Sequence, residues 1–162
     1  MKDKEFWGKE FSDISKSKGY IVKKPTQRQF KRFINFLLVG KGLSGAPQTV
    51  SISLKSQKKD KNKDKFNDKW VWIELKTNGG ESGWLFGDSD FIVFESSMEY
   101  VFVPRKKLIE YVLENVDMDS PFVQNTWEAK YGIYQRNGKL DQICLVKLPE
   151  LKKINNSYTW KK

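Results

Sequence analysis

The chain has 162 residues, with 30 Lys and Arg against 20 Asp and Glu, no His and a single Cys, for a formal net charge of +10 and a pI near 9.5. That length suits one domain with a real core, burying roughly 70% of the surface an unfolded chain exposes. The missing histidine excludes Ser-His-Asp and Cys-His triads, histidine zinc sites and histidine general bases, and the lone Cys144 excludes a disulfide within the chain.

The N-terminal stretch MKDKEFWGKEF has no apolar signal core, and no run approaches the roughly 20 apolar residues of a bilayer span. With the unpaired cysteine, this predicts a soluble, intracellular protein with no membrane partner. Lys4 to Lys18 reads as a helix: Phe6, Trp7, Phe11 and Ile14 fall near helical spacing, and Gly19 supplies a stop. Tyr20 to Val22 is a short apolar piece, followed by the basic segment Lys23 to Arg32. Phe33 to Val39 reads as a buried strand. Gly40 to Pro47 is a glycine-rich connection that lacks the spacing of a phosphate-binding loop. In Thr49 to Lys55, Val50, Ile52 and Leu54 alternate with Thr49, Ser51 and Ser53, the pattern of a half-buried strand with a polar face.

Lys55 to Lys69 (KSQKKDKNKDKFNDK) carries too much charge to pack and reads as an exposed, mobile basic loop, about 56–69. Trp70 to Lys76 (WVWIELK) is the strongest strand signal, and Asn78-Gly79-Gly80 turns it. Trp84 to Phe86 and Phe91 to Phe94 continue the sheet, and Tyr100 to Val103 adds a strand. Pro104 opens a helix whose apolar face is Leu108, Ile109, Tyr111, Val112 and Val116. Strands at Gly132 to Gln135 and Gln142 to Leu148, joined across Arg136 to Lys139, make a final hairpin around a buried Cys144. The expectation is one α+β domain over 1–162: a leading helix, an antiparallel meander, a second helix and a hairpin.

Charge is unevenly placed. Between Asp13 and Asp60 there is no acid, but eleven Lys and Arg. An acid-free basic stretch suits a surface that faces phosphate. Lys23, Lys24, Arg28, Lys31 and Arg32 surround Gln27 and Gln29 as phosphate contacts. Lys58 and Lys59, with Lys61, Lys63 and Lys65, would form a second basic arm. Trp70, Trp72 and Trp84 read as sheet core with some exposed aromatic edge.

Glu74-Leu75-Lys76 has the form Glu-x-Lys on a strand. Alternation puts both polar groups on one face about 7 Å apart, where a carboxylate can hold Mg²⁺ while lysine orients water and phosphate. The segment WVWIELKTNGGESGWLFGDSDFIVFE at Trp70 to Glu95, the later YGIYQRNGKLDQICLVKLPEL at Tyr131 to Leu151, and Gly8-Lys9-Glu10-Phe11 on the leading helix carry a resemblance. Together they resemble the PD-(D/E)xK nuclease superfamily, in particular its virus- and phage-type members.

The resemblance implies a restriction-endonuclease-like core, a central mixed β-sheet with flanking helices. It also implies DNA as partner, alone or as a homodimer, in the cytoplasm or nucleus of a host cell. The implied activity is a Mg²⁺- or Mn²⁺-dependent DNA endonuclease or a catalytically impaired descendant of one. The alternative is a non-catalytic nucleic-acid-binding protein on the same fold. Two registrations of the motif stay open. In one, Asn35 stands where the family has Asp, Ser53 where it has Asp or Glu, and Lys55 matches the lysine. In the other, Glu74 and Lys76 form the active tripeptide. Glu10 and Glu74 are then the expected metal ligands, with Asp90 and a folded-back Asp60, Asp64 or Asp68 as further acids.

Overall fold

The structure is a computed structural model and describes residues 8–42, 44–56 and 67–162. Helix α1 (Lys9–Ser17) is shorter than expected within that range, and it points Phe11 inward. It ends at Lys18, and the next residue, Gly19, takes a φ of 91°, the left-handed conformation that glycine adopts without a Cβ penalty. Strand β1 (Ile21–Lys23) follows.

The basic segment after it is not featureless: Gln27–Lys31 forms a short helix, α2. Its start is a capping box, with Thr26 Oγ1 accepting from the Gln29 amide while Gln29 Oε1 accepts from the Thr26 amide. Phe33 then has a φ of 65°, so the extended run begins later than its apolar residues suggest. β2 is Phe36–Lys41, and Asn35 lies just before it.

β3 (Pro47–Lys55) pairs with β2 in an antiparallel hairpin, Phe36 opposite Ile52 and Lys41 opposite Pro47. β4 (Trp70–Lys76) has the expected bounds but not the expected place. It leaves the meander and pairs only with β7 (Gln142–Lys147), as a separate two-stranded antiparallel ribbon. Trp84–Phe86 is a turn of 3₁₀ helix rather than a strand. β5 (Phe91–Glu95) returns to the main sheet and lies parallel to β3, with Ser53 opposite Ile92 and Lys55 opposite Phe94.

β6 (Glu99–Pro104) pairs antiparallel with β5 and leads directly into helix α3 (Arg105–Asn115), whose buried residues are Leu108 and Val112. Residues 132–135, expected as a strand, make only isolated bridges, among them Tyr134 with Ile143. A second 3₁₀ turn spans Thr126–Glu128. After β7 come a short helix, α4 (Leu148–Leu151), and an unforeseen last strand, β8 (Tyr158–Lys161), which closes the edge beside β6.

The architecture is therefore α+β, with a central six-stranded mixed sheet in the order β1-β2-β3-β5-β6-β8 and helices flanking it. Alternation along the strands gives the sheet two different faces. Ile52, Leu54, Val93, Tyr100 and Phe102 pack with Phe11 of α1 on one side. Ile92, Phe94, Val101 and Val103 pack on the other with Val71, Ile73 and Leu75 of β4, Cys144 and Val146 of β7, and Leu108 and Val112 of α3. Among the described residues no helix is long and apolar enough to cross a membrane.

Candidate functional site

The polar residues of β3 belong to the face covered by β4. Ile52 and Leu54 point toward α1, so Ser53 and Lys55 point the other way, beside Ile92 and Phe94. Ser53 was expected on the polar face of a half-buried strand. Instead it is fully buried, because the β4–β7 ribbon covers that face, and its Oγ has no hydrogen-bond partner. Asn35 stands next to the same strand. Its amide donates to Ile52 O at 2.8 Å, and its Oδ1 accepts from the Leu54 amide at 2.7 Å. The Asn35 carbonyl oxygen is therefore already spent on the backbone of β3.

Lys55 ends β3 with its Nζ 4.7 Å from the centroid of the Trp84 ring, a cation–π contact. Burial pulls its ammonium down to about 8, against the opposing charge of Glu74. Glu74 is half-buried on β4, and its Oε1 accepts from the Trp84 amide at 3.3 Å. Burial raises its pKa above the usual carboxylate range; the Trp84 N–H and the charge of Lys55 pull it back, and Asp141 adds to the rise. Gly83 makes this approach sterically open. A Cβ there would stand 2.4 Å from Glu74 O and 2.8 Å from Glu74 Cγ, so only glycine lets the 3₁₀ turn lie against β4.

Lys55 and Glu74 thus come from the two competing tripeptides, one residue from each. The lysine acting on Glu74 is Lys55, across the interface between sheet and ribbon. Lys76 remains exposed at the end of β4, beyond a register shift between Glu74 and Lys76. Asp141 was not foreseen. It is a buried acid just before β7, held by Arg136 Nε at 2.7 Å, and the only cue in sequence is an acid flanking an apolar strand.

The remaining acids scatter. Glu10 sits on α1, the far side of the central sheet from Glu74, where its charge acts on Tyr100. Asp90 Oδ2 accepts from the Ser51 amide at 2.8 Å and Oγ at 3.0 Å. Asp68 does not fold back to Glu74; it accepts from the Ser97 amide and hydroxyl in the β5–β6 turn. Asp60 and Asp64 lie outside the described residues, as do Lys58, Lys59, Lys61, Lys63 and Lys65. Among the described residues, no three carboxylate or cysteine side chains gather as a metal site would require.

The foreseen phosphate contacts cluster at the β1–α2 edge of the sheet. Lys23, Lys24, Arg28, Lys31 and Arg32 are all exposed there. Arg32 is already engaged: its guanidinium donates to both carboxylate oxygens of Asp88, at 3.0 and 3.1 Å, and to Phe86 O at 3.2 Å. Lys23 pairs across Leu37 to Ser51, in register with β3. Two strand spacings, roughly 10 Å, therefore separate this edge from the strand that carries Lys55.

Cys144 is fully buried, and burial pushes its thiol up to about 12, which makes it an inert core residue. Compared with protein-family models, curated proteins and solved structures, the chain gives no match to any of them.

Proposed function

We propose that this protein binds DNA on a restriction-endonuclease-like core and descends from a metal-dependent endonuclease whose metal-binding acids have been lost. The observation that carries the reading is the convergence of Asn35, Ser53, Lys55 and Glu74 on the β4 side of the central sheet. The motif resemblance registers three of them, Asn35, Ser53 and Lys55, as one site, and β4 adds Glu74 from the other registration. Exposed cations at the β1–α2 edge support a nucleic-acid partner.

The residues do not fit Mg²⁺ or Mn²⁺. A hard divalent cation takes oxygen ligands, usually with one or two carboxylates. Here Glu74 is matched against a lysine, Asp141 is taken by Arg136, Asn35 Oδ1 is taken by Leu54, and Ser53 offers only a neutral hydroxyl. What the site can do is hold a phosphate with Lys55 and restrict its approach by Trp84.

A second reading, an active nuclease, is favoured by the placement of Asp141 close enough to Glu74 for its charge to be felt. A cleavage and binding assay with Mg²⁺ or Mn²⁺ on duplex, single-stranded and branched DNA separates the two. The chain is expected to bind without cutting, and an Asn35→Asp, Ser53→Asp double variant to gain Mn²⁺ affinity and slow nicking. Cutting by the unaltered chain that disappears in Glu74→Gln establishes the active enzyme instead. If the chain binds no nucleic acid in low salt, both readings fall.

A further inference from the structure

At the ends of β3 and β5, next to Lys55, is a cavity of about 640 Å³ walled by Trp70, Trp72, Trp84 and Trp127. We propose that this cavity takes one unpaired base of a single-stranded segment, with the neighbouring phosphate at Lys55. The inference rests on the nucleic-acid reading above and specifies the state of the strand that is bound.

Three observations carry it. The first is the wall. Four indoles line the cavity; Trp84 and Trp70 carry lysines over their rings, which leaves Trp72 and Trp127 to offer a face. A base can stack on such a face only when its own faces are not covered by neighbours in a duplex. Two of the four are reachable from outside: Trp127 is 65% exposed and Trp72 40% exposed. Both line the cavity, so a ligand that enters it covers them.

The second is charge. Lys55 lies at the Trp84 face, and Glu74 acts on it through its charge without a salt-bridge contact. Lys130 and Lys147 stand over the Trp70 ring, at 5.1 and 5.7 Å from its centroid. The acid that lines the cavity, Glu95, is already answered: it accepts from Ser56 Oγ at 2.6 Å and from the Tyr100 hydroxyl at 3.0 Å, and pairs with Lys162 Nζ at 2.9 Å. Residual charge around the aromatic walls is positive, which fits an aromatic ligand that carries an anion. The third is position. Lys23 lies two strands away in register with Ser51, four residues before the Lys55 end of β3 where the cavity sits, so the cationic edge and the cavity flank the same strand.

The test uses the full chain and short oligonucleotides that carry a fluorescent aminopurine base, single-stranded and in duplex, with affinity read by anisotropy and stacking by quenching. Single-stranded oligonucleotide is expected to quench on binding. Trp127→Ala, a change at an exposed 3₁₀ turn, should abolish the quench and weaken single-strand binding between roughly fivefold and a hundredfold. Duplex binding should be unchanged in that variant and fall in Lys23→Ala, Lys24→Ala. Retained single-strand affinity and no loss of quenching in both Trp127→Ala and Trp72→Ala overturn the cavity assignment while leaving DNA binding intact. A free mononucleotide that competes as tightly as the oligonucleotide also overturns it, since the ligand is then not a strand. Absence of binding to any oligonucleotide in low salt overturns the nucleic-acid reading and the assignment together.

Discussion

The two faces of the central sheet are built from the same strands and are used in opposite ways. On the α1 face, Phe11 is fully buried, with ring centroids of Tyr100, Phe36, Phe102 and Trp160 at 5.2, 5.4, 5.9 and 6.1 Å. Two polar groups there are answered: Ser15 donates to Phe11 O at 2.7 Å, and Tyr100 donates to Glu95. On the β4 face, Ser53 has an unpartnered hydroxyl and Lys55 carries a charge that burial disfavours. One face is packed around a single aromatic ring. The other tolerates unfavourable polar groups, which is where function is expected to reside.

The sharpest way to break this contrast is Phe11→Ala. Loss of a fully buried ring with four aromatic neighbours is expected to cost about 3–5 kcal/mol in urea unfolding, with DNA affinity per folded molecule unchanged. A parallel loss of affinity would show that the α1 face is not purely structural.

Lys55→Met should act in the other direction. Because the folded-state value of Lys55 is lowered to about 8, while an unfolded lysine titrates near 10.4, the penalty for its charge is fully present below pH 8. It disappears as pH rises through that window. Set against the lost Trp84 contact and the lost charge opposite Glu74, unfolding measured across pH is expected to show a net gain of about 1 kcal/mol for Lys55→Met at pH 7. The gain should shrink above pH 8, as the unaltered protein becomes more stable. On the proposed nucleic-acid reading, DNA binding by the unaltered chain should weaken over the same rise, a step the variant lacks.

Ser53→Ala has the smallest expected effect, a stabilisation of about 1 kcal/mol, since it removes a buried hydroxyl without a partner. Destabilisation on thermal or urea unfolding would mean that the hydroxyl is satisfied after all.

Much of the fold is legible in the residues, and the exceptions have physical reasons. β4 keeps its bounds because Val71, Ile73 and Leu75 alternate cleanly, and α3 follows Pro104 because its apolar stripe is strong. β2 is displaced because Phe33 adopts a left-handed backbone, which an apolar run does not announce. α2 was written in Thr26 and Gln29, a capping box easily hidden among lysines. Trp84 to Phe86 looks like a strand because a buried 3₁₀ turn needs the same residue types.

The site was half legible. Each tripeptide could be seen, but not that Lys55 of one would face Glu74 of the other, since this depends on where the β4–β7 ribbon lies. Asp141 carried almost no local signal. The separation of Glu10 from Glu74 follows from which face α1 covers, and periodicity leaves that open.

The one parallel pairing in the sheet, β3 with β5, has a consequence in time as well as in space. Parallel neighbours cannot be joined by a tight turn, so the chain must travel out after Lys55 and return at Phe91, and β4 is part of that excursion. The β2–β3 and β5–β6 hairpins are local and can zip early, whereas the seam between them closes only after the entropy of a long loop has been met. Lys55 lies on that seam, and Glu74 lies on the excursion that it closes. The protein is therefore expected to acquire its hairpins first and its site last, so substitutions along the β3–β5 seam should slow the appearance of the proposed DNA binding during refolding more than that of secondary structure.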